Sequence, residues 1–331
     1  MFRTKNYDIY KIFRVLSFSR LCNLIACRFS FFLSNVFRIP IVWNQPWAAT
    51  IEPASICQLK CPECLVGTNK IKRENKFLDD KVYDKILKQI NKKTFWLNLY
   101  FQGEPLLDVD IFNKISMAHK LKFYTVISTN AQLINEDFAL KICQSKLDKI
   151  IISLDGITDA IYSNYRLGGD IKKVLNGISF IKKHKQKKAT PIIEVQMLVF
   201  SFNENQKKDL KKKALELGAD KVVFKSPQFY NADNAIKNMS SEKIFQRYSK
   251  QKNDEFNLKT KKRKNCFRLW STIVVTTDGD ITSCCYDKIP THIMGNVAEN
   301  DIRDIWKGSK FQMFRKNFLK GVKPEICSNC K

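Results

Sequence analysis

The sequence contains no uninterrupted apolar run of the length a bilayer requires, about 18 residues without charge. Its most apolar stretch, residues 9–43 (IYKIFRVLSFSRLCNLIACRFSFFLSNVFRIPIVW), is broken by Arg14, Arg20, Arg28 and Arg38, so a transmembrane span is excluded. A compact apolar segment followed by a small-residue cleavage site is missing too, and the stretch does not read as a signal peptide. No fixed-period repeat and no low-complexity tract occur, which excludes solenoid, collagen-like and disordered classes. Histidine is scarce: His119, His184 and His292 are the only three, in unrelated contexts, and the first two end lysine-rich helical segments where they should face solvent. Imidazole acid–base chemistry therefore has little support. Acidic residues are also few, 32 against 58 lysines and arginines, for a net charge of +26. The excess is concentrated in IKKHKQKK (181–188), KKDLKKK (207–213) and KTKKRK (259–264). The first two fall in helical periodicity, where a solvated outer face is expected. No recognised nucleic-acid module accompanies them, so nucleic acid is not an expected partner.

What the sequence does contain is enough apolar residue, 44%, to bury a full core over 331 residues. Residues 1–47 read as an amphipathic helical extension packed on the body of the protein; the other reading of its apolar face and arginines is peripheral contact with anionic lipid. Short apolar runs follow near 49–53, 95–101, 123–128, 149–154, 192–200 and 221–225, separated by helical periodicity at 79–91, 109–121, 135–146, 171–187 and 204–217. Near-continuous β-branched runs alternating with amphipathic helices predict parallel strands covered by helices. Six such units over 48–230 predict an α/β fold, a partial (β/α)6 TIM-type barrel, with a linker and a small hairpin-containing domain over 231–331. In such folds the chemistry gathers on loops leaving the carboxyl ends of the strands.

The eleven cysteines do not suit a secreted disulfide scaffold in a chain this long and lysine-rich, and point to metal-bound thiolates in a reducing, cytoplasmic setting. CQLKCPEC places Cys57, Cys61 and Cys64 on the loop leaving the first strand. Three thiolates from one loop suit a soft metal centre. A four-iron cluster with one iron left open uses three, whereas structural zinc wants a fourth, and both readings stay open on the residues alone. Near the C-terminus, Cys266 and Cys284 are expected on the two arms of a hairpin turning at DGD, with Cys327 and Cys330 arriving together from PEICSNC. Four thiolates make a closed site, either a second iron–sulfur cluster or zinc. Cys285 is expected to face away from Cys284 along a strand, and Cys22, Cys27 and Cys143 to be small core residues.

CX3CX2C on the first βα loop resembles the signature of the radical S-adenosylmethionine (SAM) enzymes, and further motifs follow in the family's order. FQGEPL (101–106) resembles the GGEP motif, with Gln102 in place of its first glycine; the resemblance implies that Gly103, Glu104 and Pro105 meet the methionine amino group of SAM. A carboxylate at Glu104, at a strand end, suits a cationic amine on its own account. ISTNAQL (127–133) and ISLDG (152–156) resemble the stretches lining ribose and methionine, which implies roles for Ser128, Thr129, Asn130, Ser153 and Asp155. Arg166 resembles the residue holding the SAM carboxylate, and Gln196 and Leu198 in VQML the residues approaching adenine. Glu63 stands where an aromatic residue often precedes the third cysteine. The C-terminal pattern CX12GX4C…CX2C is similar to SPASM and twitch domains, which implies one auxiliary 4Fe-4S cluster on Cys266, Cys284, Cys327 and Cys330. The implied activity is reductive cleavage of SAM to a 5′-deoxyadenosyl radical, hydrogen abstraction from the substrate, and a net oxidation completed with the auxiliary cluster. The substrate expected first is a peptide or protein, then a sugar or aminocyclitol, and the electron donor a flavodoxin or ferredoxin. A zinc-binding, nucleic-acid-associated module is the reading of another class.

Overall fold

The computed structural model describes residues 7–71, 73–185, 190–250, 256–258, 265–327 and 330. The chain begins with helices α1 (Tyr7–Val15) and α2 (Phe18–Phe37), then alternates: β1 (Ala48–Ile51), α3 (Asp80–Ile90), β2 (Trp96–Asn98), α4 (Ile111–Lys120), β3 (Tyr124–Thr129), α5 (Glu136–Gln144) and β4 (Lys149–Ser153). It continues through α6 (Asp159–Ser163), α7 (Ile171–Lys185), β5 (Ile192–Leu198), α8 (Lys207–Glu216), β6 (Lys221–Lys225), α9 (Ala232–Asn238) and a small hairpin, β7 (Tyr248–Lys250) with β8 (Phe256–Leu258). The last part is α10 (Arg268–Ser271), β9 (Thr272–Val275), β10 (Asp280–Thr282), β11 (Ile293–Asn296), α11 (Ile302–Lys307) and α12 (Ser309–Leu319).

Strands β1 to β6 pair in order and in parallel, each apolar run having become one strand of a curved sheet. Local chemistry explains the helices between them. In α3, the Asp79 carboxylate caps the start by accepting from the N–H groups of Lys81 and Val82, and Tyr83, Ile86, Leu87 and Ile90 form the buried stripe. Each such side chain stabilises the fold by about 1.5–3 kcal/mol on burial. The lysine run of α8 leaves only Leu210 and Ala214 buried, as a solvated face requires. Residues 186–189 and the run 259–264 lie outside the described residues. His119 is exposed as expected, while His184 is half-buried with Nε2 3.3 Å from Glu136.

The sequence did not anticipate where the C-terminal hairpin goes. β9 pairs in parallel with β1, and β10 and β11 continue antiparallel beyond it, so one nine-stranded sheet runs β11-β10-β9-β1-β2-β3-β4-β5-β6. Glu52, fully buried, joins the two parts. Its carboxylate takes a bidentate pair of bonds from Arg73 at 2.7 and 2.9 Å, one from the N–H of Gln102 at 3.3 Å and one from the N–H of Thr277 at 3.2 Å. The turn itself closes at Gly279 with φ +81°, a conformation that favours glycine.

The N-terminal extension is helical, but α2 packs the opposite way from an ordinary amphipathic helix. Its buried residues are Arg20, Asn23, Cys27, Ser30 and Ser34. Arg20 donates to the carbonyls of Val15, Asn91, Leu121 and Lys122, Asn23 to those of Gln45 and Lys93, and Cys27 to that of Trp270. The carbonyls this face meets demand donors, so the polar side is turned inward and the apolar side outward. Cys22 accordingly lies exposed rather than in the core, and Cys143 is half-buried. Helix α1 sets Ile12 and Val15 against Tyr124, Val126 and Ile151, at the amino-terminal end of the strands. Among the described residues no helix is long and apolar enough to cross a membrane.

Candidate active site

A cavity of about 480 Å³ opens at the carboxyl ends of β1 to β4. Cys57, Cys61 and Cys64 line it together, held by a loop folded back on itself: the N–H of Cys64 donates to the carbonyl of Cys61 at 3.0 Å, and that of Lys60 to Leu167 at 3.0 Å. The thiol of Cys57 accepts weak bonds from the N–H of Leu59 and the amide of Asn130, each 3.5 Å away, and the Arg166 guanidinium stands 3.8 Å from the Cys61 sulfur. Burial pushes the Cys57 thiol up to about 12 and raises Cys61 as well. Such thiols give up their protons to a metal, not to water at neutral pH. Among the described residues, no three His, Cys, Asp or Glu side chains lie close enough to hold a single metal ion. The triad lines an open space, and a soft three-thiol donor set facing a cavity of this size fits a polynuclear iron–sulfur cluster.

The loop after β2 carries Gly103 and Glu104. A Cβ on Gly103 would lie 2.2 Å from the Ala54 carbonyl oxygen and 2.7 Å from that of Ile56, so glycine is what lets this loop press against the strand leading to the cysteines. The Glu104 N–H donates to that same Ile56 carbonyl at 2.8 Å. Burial raises the carboxyl of Glu104, opposed by bonds from the N–H of Asn130 at 2.8 Å, the hydroxyl of Thr129 at 2.7 Å and the N–H of Leu106 at 3.1 Å. Two of these reach Oε1 and one Oε2. A carboxylate has about four lone-pair positions, so one on Oε2 stays available for an ammonium in the cavity.

Ser128, Thr129, Asn130, Ser153 and Arg166 also line the cavity. Four of the expected residues do not: Pro105, Asp155, Gln196 and Leu198. Pro105 is buried at the start of a 3-10 turn, Pro105–Leu107. Asp155, fully buried, turns away because both its oxygens are engaged, Oδ2 by Arg166 Nε at 2.6 Å and Oδ1 by the N–H of Leu198 at 2.6 Å. It is a positioning residue for Arg166, whose guanidinium also lies 5.1 Å from the Tyr165 ring. Burial works against the Arg166 charge, but Asp155 and then Cys61 outweigh it and keep the guanidinium protonated. Gln196 is half-buried on β5, and Leu198 packs into the cluster of Leu59, Cys61 and Tyr165, which themselves line the cavity. Glu63 lines the cavity and accepts from the Asn234 amide at 2.7 Å, tying the cysteine loop to α9.

The same cavity is also lined by residues that the sequence did not point to: Tyr100, Arg268, Cys285 and Lys288. Cys285 lies in a turn after β10 rather than in the strand, and contrary to expectation its side chain does not diverge from that of Cys284: the two thiols are hydrogen-bonded to each other, and the Cys285 sulfur, which lines the cavity, lies 2.9 Å from Arg268 Nη1. Its adjacency to Cys284 was the one signal in the sequence. A neighbouring cavity of about 410 Å³ is lined by Cys266, Cys327 and Cys330, and shares Ala48, Asn98, Arg268 and Thr272 with the first. Cys266 sits ahead of α10 and not on the hairpin arm; Cys284 follows β10, buried and close enough to interact electrostatically with Cys266. Burial raises the Cys266 thiol and takes Cys327 up to about 11, so here too a metal must displace the protons.

Comparison with known proteins agrees with this architecture. The Radical SAM superfamily profile matches residues 51–212, and the SPASM profile, an iron–sulfur cluster-binding domain, matches residues 266–331. The chain belongs to the radical SAM superfamily. It is an enzyme of that superfamily with a C-terminal SPASM-type region, and its cofactors are a 4Fe-4S cluster, an auxiliary cluster and SAM. Family membership overturns the zinc-binding, nucleic-acid-associated reading. The chain is 25% identical over 306 residues to the tungsten-containing aldehyde ferredoxin oxidoreductase cofactor-modifying protein of Pyrococcus furiosus, covering 81% of this chain and 84% of that one. It is 24% identical over 312 residues to the PqqA peptide cyclase of Gluconobacter oxydans, covering 87% and 83%. Among solved structures, Streptococcus suis SuiB bound to its precursor peptide SuiA superimposes with a TM-score of 0.62 at 18% identity, over 86% of this chain and 71% of that one. That likeness supports the partial TIM-type barrel.

Proposed function

We propose that this radical SAM enzyme carries out a net two-electron oxidation of a peptide or protein. In this reading Cys57, Cys61 and Cys64 hold the catalytic cluster, and Cys266, Cys284, Cys327 and Cys330 the auxiliary one. When bound, the catalytic cluster supplies the electron that splits SAM into methionine and a 5′-deoxyadenosyl radical able to take hydrogen from carbon. The residues of the chain do the rest. Glu104 offers its remaining acceptor position to the methionine ammonium, and Arg166, held by Asp155, presents its charge to the carboxylate. Ser128, Asn130 and Ser153 face the nucleoside from the ends of β3 and β4. The cavity walls keep water from the reacting carbon.

The observation that carries the reading is that one cavity is lined both by the thiol triad and by Arg268, Cys285 and Lys288, and shares Ala48, Asn98, Arg268 and Thr272 with the neighbouring cavity of the second group of thiols. A substrate in this cavity would have a hydrogen acceptor at the triad and an electron acceptor within reach in the adjoining one. That arrangement suits an oxidation rather than an isomerisation, in which no electron leaves the substrate. The name of one relative, a peptide cyclase matched over 87% of this chain, and the peptide bound to SuiB favour a peptide over a compact sugar, since the match to a 2-deoxy-scyllo-inosamine dehydrogenase spans 22% of the chain. The electron for SAM cleavage would come from a donor of the flavodoxin or ferredoxin class. The test is anaerobic turnover with a co-encoded peptide carrying deuterium at its side-chain carbons. Deuterium arriving in 5′-deoxyadenosine, with loss of two hydrogens from the peptide, is expected. Transfer only from a labelled sugar or aminocyclitol would overturn the peptide assignment.

A further inference from the structure

Helix α2 leaves its apolar face uncovered. Phe18, Leu21, Ile25, Phe29, Phe32 and Val36 recur at helical spacing along one side, and all are exposed, Phe18 to 83% and Phe32 to 61%. At 1.5 Å per residue this stripe is about 30 Å long. Beyond the helix, Phe37, Ile39 and Trp43 extend it, and Phe13 on α1 precedes it. The inward face cannot rotate to hide the stripe, because Arg20 alone is fixed by bonds to four carbonyls. A contiguous apolar surface of this length marks an interaction site.

Charge identifies the occupant. From Ile9 to Ile51 the chain has no acidic residue, while Arg14, Arg28 and Arg38 stand exposed beside the stripe. Two copies meeting through it would bring arginines against arginines with no carboxylate from this segment to pair them. The stripe is half phenylalanine and is followed by an exposed Trp43, a composition that matches the Phe, Leu and Trp face of an interfacial amphipathic helix more closely than the Leu and Ile seam of a helix–helix contact. A second, separate feature points the same way. At the α1 end, a cavity of about 450 Å³ is lined by Lys11, Arg14, His119, Lys120 and Lys122. Among the described residues Asp148 is the one carboxylate lining it, and its Oδ2 is occupied by the N–H of Thr125 at 2.9 Å and the Thr125 hydroxyl at 3.3 Å. This is a basic recess of a size to take a phosphate-bearing headgroup beside an apolar surface that would enter the acyl region.

We propose that the N-terminal extension is a peripheral membrane anchor: α2 lies in the plane of an anionic bilayer with its phenylalanine stripe in the acyl boundary, and the basic recess beside α1 takes an anionic headgroup. The inference does not depend on the substrate assignment. It explains why α2 is tied down through polar bonds, since a helix whose apolar face goes to lipid needs its polar face for the protein.

The test uses the full chain with large unilamellar vesicles of phosphatidylcholine alone, and of phosphatidylcholine with about one-third phosphatidylglycerol. Cosedimentation is expected with the anionic vesicles, roughly a hundredfold tighter than with the neutral ones from three exposed arginines at about 1 kcal/mol each, and weaker as salt rises. F29Q/F32Q, with both changes at exposed positions, should bind at least about tenfold more weakly while cleaving SAM at the parent rate, which shows that it is folded. Lys120→Glu, on an exposed lysine of the recess, should weaken binding to the anionic vesicles only. Free inorganic phosphate should not compete if the ligand is a lipid headgroup; full competition would reassign the recess to a soluble anion and overturn that half of the proposal. Absence of binding to anionic vesicles, or binding that survives F29Q/F32Q, overturns the anchor. So does a parent dimer that F29Q/F32Q converts to monomer in sedimentation velocity, because a second copy would then be the occupant.

Discussion

Asp155 stands at the end of a catalytic-looking motif but does not face the cavity, so its contribution should be readable as stability before activity. Its side chain is fully buried and that of Arg166 is 14% exposed, with Nε and Oδ2 2.6 Å apart. Removing one partner of a buried ion pair strands the other charge and costs about 3–5 kcal/mol. Asp155→Asn keeps an acceptor for the Leu198 N–H but sets a neutral amide against the guanidinium. We expect a loss near the lower figure, about 3 kcal/mol. Asp155→Asn/Arg166→Met removes the stranded cation as well, so it should recover at least about 2 kcal/mol of that loss as coupling between the two sites. The assay is denaturant unfolding of anaerobic protein without SAM, at matched iron content, followed by tryptophan fluorescence. SAM affinity, measured separately, should fall about tenfold in Asp155→Asn, because Arg166 loses the group that aims it. Additive losses in the double variant, or an Asp155→Asn protein that keeps both its stability and its SAM affinity, would refute the positioning role.

Two further outcomes follow from other parts of the barrel. Gly103→Ala drives a Cβ into the carbonyls of Ala54 and Ile56, both backbone; a cost of about 1–3 kcal/mol is expected, with a larger relative loss in SAM affinity by calorimetry because Glu104 moves with the loop. In the barrel interior, burial opposes the Glu194 charge, but Lys149 at 2.9 Å and Lys221 at 3.2 Å outweigh it and hold the carboxyl below its ordinary range. The stability from this group is therefore present above the unfolded value of about 4.3 and is lost as the pH falls through the lower folded value. Glu194→Gln should cost about 3 kcal/mol at neutral pH, a difference that shrinks below about pH 4; a difference independent of pH would show that packing, not charge, is what the substitution removes.

Much of this fold was legible because its signals are local. Strands such as Lys149–Ser153, buried along their whole length, must read as apolar runs, and helices such as α3 must show a one-sided stripe, so the βα alternation and its boundaries follow from periodicity. The cysteine triad was legible because all three cysteines sit on one loop. What stayed hidden depends on contacts distant in sequence. Nothing near Thr272–Val275 says that this strand will lie in parallel against Ala48–Ile51, and that pairing is what brings Arg268, Cys285 and Lys288 to the cavity. Periodicity also shows that a helix has two faces without saying which one the protein takes. α2 was expected to bury its apolar side, but the carbonyls of Asn91, Leu121 and Lys122 required Arg20 instead. The same limit applies to Asp155, whose direction is set by Arg166 and by the backbone of Leu198.

The most direct test of the central claim is iron and acid-labile sulfide analysis of anaerobically reconstituted protein, read together with formation of 5′-deoxyadenosine from SAM under reduction. The account predicts about eight irons per chain, in two four-iron clusters. Cys61→Ala should lose about four of them and all cleavage, whereas Cys327→Ala should lose the other four and keep uncoupled cleavage. Stoichiometric zinc in place of iron, or cleavage that persists in Cys61→Ala, would contradict it.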